Sequence, residues 1–184
     1  MESLKNLVDI YIKKYPEEFT SFEILEFMKT DNCFSKDNQN GHFTGSAWII
    51  SPDKSQILMT HHKKLGMWLQ LGGHCDGETD LLKVALREAK EESGIKFFNI
   101  LSNEIFDIDI HQIPRSKNDL AHKHYDVRFL FEADPENSEI IISEESYDVS
   151  WVPINEVSML NPEVSIGRML KKTLDLKITY LYNT

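Results

Sequence analysis

The segment TDLLKVALREAKEESG, residues 79–94, restricts the fold more than any other stretch of the chain. Leu81, Leu82, Val84, Ala85 and Ala89 recur at helical spacing, so the segment is expected to be a helix with one side on a core. Thr79 or Asp80 can cap its start, and Gly94 can stop it. On the same helix Glu88, Glu91 and Glu92 fall at i, i+3 and i+4, and so project from one face within about one turn. Three carboxylates that close repel one another. Two readings accommodate the repulsion: a solvated acidic face balanced by Arg87 and Lys90, or a site for a hard cation such as Mg2+ or Mn2+, which prefers oxygen ligands.

The flanking sequence predicts how this helix is held. Leu4, Leu7, Val8, Tyr11 and Ile12 have helical spacing up to Pro16, and a second amphipathic run covers 19–28, with Thr20 or Ser21 as its cap. The polar stretch SKDNQNG reads as a linker. Residues 1–40 are therefore expected to be a helical N-terminal extension, and 41–184 the main domain. HFTGSAWII and QILMT, joined by the SPDKS turn, read as a hairpin. Residues 95–113 read as one or two strands, and HYDVRFLFEAD and YDVSWVPI as others. Asn161-Pro162-Glu163 opens a last helix with Val164, Ile166, Leu170 and Leu174 on its apolar side. Strands interleaved with helices indicate an α/β sandwich around a mixed sheet.

Composition narrows the function. With 20 basic against 30 acidic residues the net charge is −10, which disfavours a nucleic-acid polymer or an anionic membrane as partner. A polyanionic substrate would need local neutralisation by a divalent ion or placed Lys/Arg. Two cysteines without a CxxC pair, no apolar stretch of membrane-spanning length and a start without signal-peptide character fit a cytoplasmic protein.

The order of pieces around the helix is distinctive. Gly72-Gly73 leads to Glu78 and then to Arg87-Glu88-Ala89-Lys90-Glu91-Glu92-Ser93-Gly94-Ile95. This resembles the Nudix hydrolases, whose signature ends in Arg-Glu-apolar-x-Glu-Glu-x-Gly-apolar; all nine of those positions match. The loop departs by one residue: four residues rather than five separate Gly73 from Glu78, and eight rather than seven separate Glu78 from Arg87. The resemblance extends from residue 42 to about 160. It implies a Nudix-type α/β/α sandwich and hydrolysis of a small-molecule diphosphate, such as a nucleoside diphosphate derivative, by a metal-activated water. Glu91 and Glu92, helped by the Gly72 carbonyl, would hold Mg2+ or Mn2+. Glu88 would be a further ligand or the general base, and Arg87 with Glu78 an ion pair fixing the loop to the helix. Glu144 or Glu145, before Trp151, would complete the site, and Glu145 is the preferred candidate. A non-catalytic Nudix-type sensor is a further alternative. For residues 1–40, part of the cleft, a cover for the sheet and a homodimer contact are all open.

The seven histidines add a second theme. By period-two alternation His42, Thr44, Ser46 and Trp48 share one strand face, and His124, Asp126 and Arg128 lie opposite Tyr125, Val127, Phe129 and Phe131. If that polar face lines the cleft, Arg128 and His124 would contact substrate phosphate; otherwise it is a solvent-exposed sheet face. His61, His62 and His111 read as ordinary surface residues. HFTGSAW with GGH also resembles isopentenyl-diphosphate isomerase, in which histidines at the positions of His42 and His74 bind metal. The cysteine that this isomerase uses in catalysis corresponds to Gly72, and Cys75 is displaced by three residues. Hydrolysis is therefore the better reading, with His42 and His74 as additional metal ligands.

Overall fold

The computed structural model describes residues 2–115 and 120–182. Helices α1 (Glu2–Lys14) and α2 (Thr20–Phe27) fall where periodicity placed them. The cap of α2 differs: Phe19 holds the N-cap position without a side-chain hydrogen bond, and the Ser21 hydroxyl donates to the Glu18 carbonyl at 2.8 Å instead. Strands β1 (Gly41–Ile50) and β2 (Gln56–His62) make the expected antiparallel hairpin, with Ile49 opposite Leu58 and Ile50 opposite Ile57. Then come β3 (Met67–Leu69), β4 (Leu71–His74), α3 (Leu81–Ser93), β5 (Asn99–Ile100), β6 (Asp107–Ile113) and β7 (His122–Glu132). The chain continues through β8 (Ser146–Pro153), α4 (Val157–Leu160) and α5 (Val164–Tyr182).

The strands hydrogen-bond along the path β3-β2-β1-β7-β5, with β4 on β1, β6 on β7 and β8 on β2. The class is α/β, a mixed sheet with helices, as the alternation of elements implied. Sequence pattern missed β3, β4 and α4, because three or four residues are too few to display a period. No helix among the described residues is long and apolar enough to cross a membrane.

Two compact units can be described separately. The first comprises Met1–Ala47, Gly72–Glu88 and Ser102–Phe129. Leu4, Val8 and Tyr11 of α1 are buried in it, and Phe27 of α2 stacks on Tyr125 with ring centroids 3.6 Å apart. Leu81, Val84 and Ala85 lie on the buried side of α3 as expected, whereas Leu82, also expected there, is half-buried. β6 and β7 pair in register from Asp107 opposite Arg128 to Ile113 opposite His122.

The second unit comprises Trp48–Leu71, Ala89–Leu101 and Leu130–Thr184. In it β2 pairs with β8 from Gln56 opposite Pro153 to His62 opposite Ser146. The Trp48 indole N–H donates to the Thr173 hydroxyl at 2.9 Å. The Asn161 side chain accepts the Glu163 N–H at 2.9 Å, an Asx turn leading into α5, and donates its amide to the Trp68 carbonyl at 2.8 Å. The apolar side of α5 is corrected: Ile166, Met169, Leu170 and Thr173 are buried, whereas Val164 and Leu174 are exposed. Ser165 and Lys172 are buried as well, so the buried arc centres on Met169, and residues 164 and 174, each five positions from it, lie outside.

Candidate active site

Within the first unit β4 carries Gly72, Gly73 and His74 into place, and both glycines are required by close approach. A Cβ at Gly72 would sit 2.7 Å from the Cα of Ser46. One at Gly73 would sit 2.5 Å from the carboxylate carbon of Glu88. The backbone of β4 thus forms a cradle for the Glu88 carboxylate. After His74 the chain turns through Asp76 (φ 49) and Gly77 (φ 90), and the Glu78 N–H returns to the Cys75 carbonyl at 2.9 Å.

Glu78 and Arg87 divide the work of fastening this loop differently from expectation. The Glu78 carboxylate accepts the N–H groups of Thr79 and Asp80 at 2.8 and 2.9 Å, and these two bonds hold it below the usual carboxylate range. It thus fixes the two residues just ahead of α3, where its negative charge also lies near the positive end of the helix. Asp80 is the residue immediately before the helix, and its Oδ1 lies 3.4 Å from the Lys83 nitrogen. Arg87 donates from Nη2 to the His74 carbonyl and from Nη1 to Glu88 Oε1, both at 2.7 Å. The helix-to-loop link expected of an Arg87–Glu78 ion pair is therefore made by Arg87 to the backbone of His74.

The three carboxylates of α3 do not form a solvated face. Glu92 is only 5 % exposed and the Glu88 side chain only 14 % exposed, while Glu91 faces solvent. Glu144 and Glu145 are exposed just before β8; their carbonyls accept the Lys63 ammonium at 2.7 Å and the Lys63 N–H at 2.9 Å.

On the polar face of β6 and β7 Asp107, Asp126 and Arg128 are buried and His124 is half-buried, so this part of the face is not solvent-exposed. Arg128, 2 % exposed, binds Asp126 through Nε at 2.7 Å, Asp107 through Nη1 at 3.2 Å and Asp109 through Nη2 at 3.3 Å. The other oxygen of Asp126 accepts the hydroxyls of Thr44 at 2.8 Å and Ser46 at 2.7 Å. Beside Asp107, 3.4 Å from its Oδ1, lies the Tyr11 hydroxyl, which also donates to Glu18. The expectation that Arg128 contacts substrate phosphate is corrected on this ground. Its guanidinium is engaged by three carboxylates and shielded from solvent, so it organises the strands.

Further along the same face the side chains change to imidazoles. Ligand atoms of His42, His74 and His124 all lie within 4.8 Å of one another. His124, expected to contact substrate, is part of this group. His122 and His111, which the sequence did not single out, join it: rings of His122 and His124 are 5.2 Å apart, and those of His111 and His124 5.5 Å. The register placing His111 opposite His124 and Ile113 opposite His122 brings them together. Burial, then the neighbouring His74 and His122 rings, pushes His42 down to about 4; the Asn38 backbone and Asp76 offset this only in part. Burial, then His42, His111, His74 and His122, pushes His124 down to about 2. His42 and His124 are thus neutral at pH 7. His61 stacks on Trp68, and His62 Nδ1 accepts the Lys64 N–H at 3.2 Å. Cys75 is buried and donates to the Phe43 carbonyl at 3.1 Å, and burial pushes its thiol up to about 12.

Comparison with known proteins bears on this arrangement. The NUDIX domain family model matches residues 42–172. A curated relative described as a probable DHNTP pyrophosphohydrolase, from Lactococcus lactis subsp. cremoris (strain MG1363), is 27% identical over 122 residues, 64% of this chain and 71% of that protein. Among solved structures, an Ap4A hydrolase of C. elegans in a binary complex superposes with TM-score 0.54 at 16% identity, covering 74% of this chain and 98% of that one. The E. coli dihydroneopterin triphosphate pyrophosphohydrolase gives TM-score 0.55 at 14% identity, covering 72% and 95%. These structural likenesses show the fold.

Proposed function

The chain belongs to the Nudix hydrolases, and from that premise we propose that it cleaves the diphosphate linkage of a nucleoside diphosphate derivative or a related organic diphosphate, with water as nucleophile. One observation carries the reading: Arg87, Glu88, Glu91 and Glu92 stand on one helix, with Glu88 seated against Gly73 and Arg87 gripping the His74 carbonyl. The relative named as a probable DHNTP pyrophosphohydrolase supports a pyrophosphate linkage as the bond cleaved.

The donor set suits a hard cation. Its groups are carboxylate oxygens, two of them withdrawn from solvent, and the Gly73 cradle fixes Glu88 without a side chain of its own. Glu88, Glu91 and Glu92 would hold Mg2+ or Mn2+, with the Gly72 carbonyl. Bound there, the ion would acidify water and neutralise charge developing on the diphosphate. The chain's own residues do the rest. Arg87 keeps the loop against α3, and Glu78 fixes the two residues that lead into the helix. Glu88 is a further ligand or the base that takes the proton of the attacking water. Glu145, exposed before β8, is the candidate for a carboxylate from outside the helix.

Around this core the remaining readings are consistent: a cytoplasmic enzyme of small molecules, in which residues 1–40 are a helical extension and 41–184 the Nudix domain, with a homodimer contact as one role for the extension. Isomerisation of a prenyl diphosphate is less well supported, because the Cys75 thiol is buried and held protonated. The test is a panel of nucleoside and non-nucleoside diphosphates with Mg2+ and Mn2+. Glu91→Gln and Glu92→Gln are expected to abolish turnover of every compound that the native chain cleaves. Unchanged turnover in both would overturn the reading.

A further inference from the structure

We propose that Phe34 and Lys36, in the segment joining the N-terminal helices to β1, are positioning residues for the loop that runs from His74 to Glu78. The inference rests on the hydrolase reading and deepens it, because it gives residues outside the family match a part in the reaction.

The segment is tied down by its own turns. The Ser35 N–H donates to the Asn32 carbonyl at 2.9 Å, and the Asn38 N–H to the Ser35 carbonyl at 3.1 Å. The Asn38 amide returns to the Asp31 carbonyl at 3.3 Å, and the Gly41 N–H closes on the Asn38 carbonyl at 3.2 Å. Local bonds of this kind hold a polar stretch in one conformation.

Phe43 joins this segment to the loop. Its N–H donates to the Cys33 carbonyl at 2.7 Å, and its carbonyl accepts the Cys75 thiol at 3.1 Å. The Phe43 ring is fully buried and stacks on Phe34, with centroids 5.1 Å apart. Two further contacts run directly between segment and loop. The Gly77 N–H donates to the Phe34 carbonyl at 3.4 Å, and the Lys36 ammonium lies 3.5 Å from Asp76.

These contacts fall where the loop is strained. Asp76 and Gly77 both have positive φ, and a residue other than glycine keeps that conformation only when its surroundings impose it. Lys36 and Phe34 hold these two residues. Ahead of them is the His74 carbonyl that Arg87 grips, and after them comes Glu78. An exposed ion pair contributes little to global stability, so Lys36 and Asp76 are better suited to setting the loop than to holding the fold. Misplacement by about 1 Å costs on the order of 100-fold in rate, which makes loop placement a matter for catalysis.

The experiment uses the full chain. Amide exchange is followed by NMR without substrate, and turnover is measured on a diphosphate that the native chain cleaves. Phe34→Ala should speed exchange at Gly77 and Glu78 about 10-fold, while Ala85 within α3 keeps its protection. It should lower kcat about 10–100-fold with KM nearly unchanged, and Phe34→Leu, which restores apolar bulk, should recover most of both effects. Lys36→Ala, at an exposed side chain, should speed exchange at the same amides by roughly 2–5-fold, and Lys36→Arg should not. This surface variant decides the question where Phe34→Ala does not fold. Exchange is read without turnover, so it judges the brace even if no diphosphate is cleaved and the hydrolase reading fails. Unchanged exchange at Gly77 and Glu78 in either alanine variant, a rise in KM with kcat intact, or a Phe34→Leu no better than alanine would overturn the proposal.

Discussion

Replacing Arg128 by methionine removes the guanidinium that three aspartates share. Asp107 and Asp126 are 0 % and 1 % exposed, so neither can turn to water when the cation is gone. Breaking a buried ion pair from one side costs about 3–5 kcal/mol, because the remaining charge stays desolvated. Taking a single such penalty of about 4 kcal/mol, against a total stability of about 5–15 kcal/mol, places the variant near the limit of folding. In a chain of this length each kcal/mol shifts the midpoint by roughly 2–4 °C, so the expected fall in Tm is about 8–16 °C. Urea unfolding gives the free energy, and Asp107→Asn alone and with Arg128→Met completes a double-mutant cycle. Removing one stranded carboxylate should relieve part of the damage, so the double variant should lose less than the sum by about 1–3 kcal/mol. A loss of no more than ~1 kcal/mol in Arg128→Met, the value of an exposed pair, would refute the claim that these charges act as one buried unit.

Two further tests address the site itself. Gly73→Ala pushes only the mobile end of Glu88, so it should leave Tm nearly unchanged while lowering kcat about 100-fold, since misplacing a reacting group by about 1 Å has that effect. Gly72→Ala meets the backbone of Ser46 and should instead cost about 1–3 kcal/mol of stability, measured by urea melts. Two histidines of the group predict acid sensitivity of the fold. His42 and His124 titrate lower when folded, about 4 and about 2, than the ordinary 6.5, so between those values the unfolded chain binds more protons. Stability should therefore be complete above about pH 6.5 and fall by roughly 1.4 kcal/mol per pH unit for each ring as the pH drops toward 4. Stability that is flat between pH 7 and 5 would contradict the burial assigned to these rings.

The helix α3 was legible because its thirteen residues display several turns of one period, and its family pattern lies inside that helix. Alternation also told which residues of β1 and β7 share a face. It could not tell what lies opposite. The fate of Arg128 depends on Asp107 and Asp109, which enter through the β6–β7 register, and register is a pairing between distant segments. His111 was passed over for the same reason, since nothing local marks it as the neighbour of His124. The Arg87–Glu78 expectation failed on a shorter scale. The loop is one residue short, and Glu78 finds the unsatisfied N–H groups of Thr79 and Asp80 before it meets a guanidinium.

Tyr11 belongs to a helix outside the family match, yet its hydroxyl lies at Asp107 within the buried charge group. The extension and the acidic strand β6 are thus expected to be inherited as a pair. In relatives without α1, the position of Asp107 should drift to an uncharged residue, or its carboxylate should acquire a new donor. A collection of such sequences would record that exchange as covariation between residues 96 places apart.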